Sequence, residues 1–328
     1  MLKPGIHAFA LLLGSTALAA AIELGMPAQC TLGEDCFVQQ FPDLDPGANA
    51  VDSYCGSATY DGHDGLDLRV LSLVDVARGV PVLAMADGTV VGVRDESPDK
   101  MIEGQAQAQA VSREGCGNLA LIDHGDGYQT RYCHMRHGTV SVRKGDSVKR
   151  GQQIGLIGAS GMAEFPHVEI AVSKDGKTLD PVTGRALDAG CLRDLAEAKP
   201  LFARDVVAAF GTGEAQMLAI GLSGNVVDYR QLSQLGPPPV ARSNSANGVG
   251  WGWFINLRQG DRVTVRLTEP GGAIVAEQTT QPMDHSKATY SAFAGKRGAP
   301  SPGDYEVYAA VIRDGKPVVE KRAIVTVQ

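Results

Sequence analysis

Hydrophobic and polar positions alternate with a period near two over much of this chain, and that period predicts strands. From about residue 50 to 185 the apolar runs are short. Residues 81–85 form one run, Ala86-Asp87-Gly88 is a turn signal, and residues 89–93 form the next. Residues 118–122 lead to a turn at His124-Gly125-Asp126-Gly127 and return through 128–134, the pattern of a hairpin. Glycines at 145, 151, 155 and 158 mark corners of a small, strongly bent sheet. The polar stretch 94–115, with its Gln-Ala repeats, reads as a mobile loop inserted between strands, bordering a cleft, or equally as a disordered insertion.

After Asp180-Pro181 the pattern changes. Residues 192–210 have helical spacing, interrupted at Pro200, and Gly236-Pro237-Pro238-Pro239 reads as a stiff linker or strand lead-in. From about 250 alternation returns. Trp251, Trp253 and Ile255 share one face, as do Val263, Val265 and Leu267. Gly271-Gly272 and Asp314-Gly315 read as hairpin turns. Short strands with such turns predict an immunoglobulin-like β-sandwich. Its tryptophans read as core residues, and nothing in it is placed to do chemistry.

Composition narrows the function. A chain of 328 residues has room for two domains. A net charge of −7 argues against a nucleic-acid partner, which would call for a basic face. Residues 8–21 are apolar or small, and Ala17-Leu18-Ala19 and Ala19-Ala20-Ala21 are cleavage candidates. Residues 1–21 therefore read as a signal peptide, because the run is shorter than the ~20 residues of a spanning helix. No transmembrane segment is expected after cleavage, and the mature chain is expected to be periplasmic or secreted. Six cysteines fit an oxidising compartment. Cys30 with Cys36 would close a small loop, and Cys116 and Cys133 flank the predicted hairpin. Sequence alone leaves the connectivity open.

Three short segments carry candidate chemistry. Asp61-Gly62-His63-Asp64-Gly65-Leu66-Asp67 holds a His-x-x-x-Asp on a loop entering a strand, with Gly65 letting the backbone turn. Tyr132-Cys133-His134-Met135 ends the returning hairpin strand. In Phe165-Pro166-His167-Val168-Glu169-Ile170, the strand period puts His167 and Glu169 on one face and Val168 and Ile170 on the other. An ordinary exposed strand face would give the last pattern too. His124 reads as structural, His137 as solvated, and His285 lies in the second domain.

In this order, with the Gly151-Gln152-x-Ile154-Gly155 turn before the last segment, the motifs resemble those of the lysostaphin/LytM-type zinc endopeptidases, which cut peptide crosslinks of bacterial cell walls. The resemblance spans roughly residues 50–185. It implies a mainly β, LytM-like barrel-sandwich for a domain at 22–195 with its core at 50–185; the strand and helix patterns place a helical or linker segment at 196–240 and the immunoglobulin-like sandwich at 241–328. It implies one zinc per chain, with His63, Asp67 and, by position, Glu169 as metal ligands. His134 and His167 then fall on the family's two catalytic histidines, which act on the attacking water and the developing oxyanion. The family's last motif is usually His-x-His, and here it is His-x-Glu.

Glutamate is a legitimate zinc ligand, but two carboxylates leave the centre near zero net charge, and a more neutral centre acidifies water less. Three functions follow as expectations. The first is an exported peptidase acting on peptidoglycan peptides. The second is a degenerate module that binds the wall or regulates another hydrolase, with a cell-wall amidase or a divisome protein as partner. The third is a structural protein that reuses the barrel.

Overall fold

The computed structural model describes residues 22–328. The expected signal peptide, 1–21, lies outside the described residues. The N-terminal unit contains β1 (Cys36–Gln40), β2 (Leu66–Val70), β3 (Pro81–Leu83), β4 (Gly88–Arg94), β5 (Asn118–Gly125), β6 (Tyr128–Met135), β7 (Ser147–Val148), β8 (Gln153–Leu156), β9 (His167–Lys174) and β10 (Lys177–Leu179). Its main sheet is antiparallel and runs in the order β1-β2-β9-β6-β5-β4-β7, with β10 on β9; β3 and β8 pair separately. The predicted hairpin is β5–β6. Leu66, Leu68, Ile122, Tyr132, Val168, Ile170 and Val172 fill the core beneath it. Tyr132 is fully enclosed, and its hydroxyl accepts from the Met85 N–H at 2.7 Å, so the phenol is not an orphan.

The C-terminal unit contains β11 (Gln216–Ser223), β12 (Asn247–Leu257), β13 (Arg262–Thr268), β14 (Ile274–Thr279), β15 (Lys287–Arg297), β16 (Gly303–Arg313) and β17 (Lys316–Val327). They form a three-stranded sheet, β11-β12-β15, and a four-stranded one, β14-β13-β16-β17. Taken in chain order, this is an immunoglobulin-like sandwich whose fourth strand has moved to the sheet of the third. Val263, Val265 and Leu267 face its core, as their alternation predicts. The architecture is thus mainly β throughout. The sandwich begins earlier than 241, because β11 lies inside the stretch read as helix and linker and pairs along its length with β12.

Four α-helices are present among the described residues: α1 (Leu73–Arg78), α2 (Gln105–Val111), α3 (Arg204–Phe210) and α4 (Tyr229–Leu235). Two of them correct the sequence reading. The stretch 94–115 is not a bare loop, because its Gln-Ala repeat forms α2, followed by a 3₁₀ turn at Ser112–Glu114. Alanine and glutamine are strong helix formers, which polarity alone concealed. The helix expected over 192–210 survives only as α3, after Pro200. Before the proline there is one 3₁₀ turn, Leu195–Glu197.

The two units share a small apolar cluster, in which Phe37 of β1 meets Leu218, Trp251, Trp253 and Ile255 of the sandwich. Beside it lies Arg69, fully buried and, among the described residues, with no carboxylate partner. Its guanidinium sits 4.8 Å from the Trp253 ring and 5.1 Å from the Phe165 ring. It donates to Gln39 Oε1 at 2.6 Å and to the carbonyls of Val70 and Leu71. Burial pulls its pKa down to about 9, and aromatic faces with carbonyl acceptors replace the missing counter-charge. The tryptophans are core residues, as expected, but the core they serve joins the two units.

Candidate metal centre

Three neighbouring strands position the predicted residues. In the sheet order β2-β9-β6, Asp67 of β2 pairs with Glu169 of β9, and Glu169 pairs in turn with Cys133 of β6. Directly opposed residues point to the same side of a sheet. Asp67 and Glu169 are therefore brought together by register, and His63 reaches them from the loop ahead of β2. Side-chain donor atoms of His63, Asp67 and Glu169 lie within 4.8 Å of one another, and all three residues are buried. His134 and His167 join them, with ring centroids 4.4 Å apart.

All three histidines are held the same way. His63 Nδ1–H donates to the Phe41 carbonyl at 2.9 Å, His134 Nδ1–H to Ser160 at 2.7 Å, and His167 Nδ1–H to Phe165 at 2.8 Å. A carbonyl only accepts, so the neutral form of each ring carries its lone pair on Nε2, facing the site. His63 Nε2 lies 3.2 Å from Asp67 Oδ1, His167 Nε2 lies 3.6 Å from the same oxygen, and His134 Nε2 lies 3.3 Å from Glu169 Oε2.

The electrostatics follow from burial and these carboxylates. Burial alone would lower the His63 pKa, but Asp67 outweighs it and raises it to about 9. Burial opposes the His134 cation too, and Glu169 reverses that shift upward. For His167 burial wins and takes the ring down to about 4. Burial would raise Glu169, yet the His134 hydrogen bond and the surrounding cations hold it well below the usual carboxylate range. The centre attracts positive charge, and His167 stays neutral within it.

The residues present fit a zinc ion. Donors at ~2.0–2.2 Å from a tetrahedral ion stand roughly 3.4 Å apart, and the His63–Asp67 separation of 3.2 Å is close to that. Another group of the same kind, Cys30, Asp35 and Cys36, offers no thiolate, because Cys30 and Cys36 are disulfide-bonded.

Sequence reasoning missed three features here. Arg131 donates to both oxygens of Asp64, at 2.8 and 2.9 Å, and to Glu169 Oε1 at 3.1 Å. The signal was in the register: Arg131 stands two residues before Cys133, the partner of Glu169, and so faces the same side. Gly65 is needed for proximity more than for turning, since a Cβ there would lie 2.6 Å from Glu169 Cγ. His134 has a left-handed backbone, φ 59°, which returns its ring to the Glu169 face where strict alternation would turn it away.

The Cys116–Cys133 disulfide anchors the strand next to His134, and the Cys116 carbonyl accepts from the His134 N–H at 2.8 Å. Cys30–Cys36 and Cys55–Cys191 complete the pairing. His124 bridges Asp87 and Thr130 in a structural role, and His137 and His285 are exposed.

The centre opens into a cleft of about 990 Å³. The inserted segment contributes Met101, Ile102, Glu103 and Gly104, α4 contributes Tyr229 and Ser233, and the sandwich contributes Asn256 and Thr289.

Residues 61–181 match the profile described as Peptidase family M23. An uncharacterized metalloprotease of Haemophilus influenzae is 31% identical over 121 residues, covering 37% of this chain and 20% of that protein. The peptidoglycan DD-endopeptidase ShyB of Vibrio cholerae is 33% identical over 31% of this chain and 20% of its own length. The lipoprotein NlpD of Yersinia enterocolitica is 34% identical over 32% of this chain, a match that covers 90% of that sequence. The chain thus spans about a fifth of the length of the first two relatives.

Proposed function

The chain belongs to peptidase family M23, and from that premise we propose that it is an exported zinc-dependent endopeptidase acting on peptidoglycan peptides. The observation that carries the reading is the convergence of His63, Asp67 and Glu169 in one buried cluster at the head of a cleft. His63 Nε2, Asp67 and Glu169 would hold the ion. Zinc supplies a Lewis acid for the scissile carbonyl and lowers the pKa of water toward ~7.

The chain's own residues do the rest. His167, kept neutral by burial, is suited to take a proton at Nε2. His134, drawn toward its protonated form, is suited to donate from Nε2 to oxygen that gains negative charge. Arg131 offsets the second carboxylate. It places one positive charge on Glu169 Oε1, where a histidine ligand would have left the centre one unit more positive.

Hydrolysis of purified, crosslinked peptidoglycan tests this reading. Wild-type protein should release soluble peptides, and His167→Ala should lose most of that activity while keeping its zinc. Equal release by both proteins would contradict the assignment.

One observation favours a second reading, a regulatory or wall-binding module with little metal. Both Glu169 oxygens already meet protein partners, His134 and Arg131. On that reading purified protein stays metal-poor, and His134→Ala leaves the cellular role intact.

A further inference from the structure

The cleft has a wall that the metal centre does not use. It is built where the sandwich meets the N-terminal unit, and Ser286 Oγ lies 3.2 Å from Ser57 Oγ across that junction. Among the described residues, four buried side-chain atoms lack a hydrogen-bond partner: Thr59 Oγ1, Arg131 Nε, Trp251 Nε1 and Asn256 Nδ2. Three of those four residues, Thr59, Arg131 and Asn256, line this one cleft. Buried polar atoms are nearly always paired, so such a concentration calls for a cause.

Arg131 already has its partners on Nη2. Thr59 and Asn256 make no other side-chain hydrogen bond that explains their placement, and Asn256 shows a second anomaly. It is only 6% exposed and adopts φ 59° inside the otherwise extended strand β12. A left-handed residue within a strand interrupts the ladder, and such strain persists where the surroundings enforce it, often at binding sites. A carboxamide turned about its last torsion offers a donor or an acceptor, and a hydroxyl offers both. This neutral pair matches the N–H and C=O groups of a peptide main chain, whatever its side chains.

We propose that Asn256 and Thr59 form a subsite for the main chain of a bound peptide, and that Asn256 is the sandwich's contribution to substrate binding. The inference rests on the wall-peptide reading above.

The test is calorimetric titration of a synthetic peptidoglycan stem tetrapeptide into the full chain, using wild type, Asn256→Gly and Thr59→Val. Glycine removes the carboxamide while tolerating the left-handed backbone, and valine keeps the shape of threonine. Each variant should bind about five- to tenfold more weakly, the range of one or two lost hydrogen bonds. Each should melt within about 2 °C of wild type, because the deleted group has no partner within the protein. Wild-type affinity in both variants would overturn the subsite and leave the proposed function standing. A fall of more than about 5 °C in Asn256→Gly would make Asn256 a structural residue and overturn the subsite as well. A wild type that binds no stem peptide would overturn the subsite together with the reading beneath it.

Discussion

Glu169 is the residue on which the proposed site depends. Its carboxylate is shared among His134, Arg131 and the His63–Asp67 pair, and Gly65 leaves the space it occupies. Gly65→Ala would drive a methyl group into Glu169 Cγ. We expect that variant to lose zinc affinity by at least tenfold, read by competition with a chromogenic chelator. Unchanged affinity would mean that Glu169 is free to move without consequence. Glu169→His makes the complementary prediction. It returns one positive charge to the centre, so hydrolysis per bound zinc should rise. A fall in turnover at equal zinc content would show that Arg131 and Glu169 work as a matched pair.

At the scale of elements, the hairpin β5–β6 carries His134 on a strand braced by Cys116–Cys133. These cysteines stand 17 residues apart, and a loop of that size is worth roughly 3 kcal/mol. Replacing both with serine should lower the melting temperature and reduce hydrolysis through His134. A drop in stability with full activity would separate the two roles. Much of this hairpin was legible in sequence, because alternation and Asp-Gly turns are local signals. The pairing of His167 with Glu169 on one face of β9 was legible for the same reason. The left-handed turn at His134 was not, since a single dihedral leaves no trace in a hydrophobic pattern. Arg131 was hidden by register, which depends on partners far along the chain. α2 was hidden because a polar helix lacks an apolar stripe.

Across the whole molecule, the sandwich is more than an appendage. Trp253 stacks on Arg69, Arg69 stacks on Phe165, and Phe165 lies 4.5 Å from the His167 ring. The interface and the candidate metal centre are therefore contiguous. Trp253→Ala should cost ~3–5 kcal/mol in denaturant unfolding, as for other buried aromatics. Wild-type calorimetry should show the two units unfolding in one transition. Two well-separated transitions would mean that the shared cluster does not couple them. The sequence reading left the sandwich without a chemical role because Asn256 and Thr289 come to line the cleft only where the two units meet.

In the function proposed, Glu169 completes a zinc site. Elemental analysis of purified mature protein, wild type beside Glu169→Ala, tests it most directly. About one zinc per wild-type chain and a large loss in the variant are expected. A wild type that stays empty after zinc is supplied, or a variant that keeps its zinc, would contradict it.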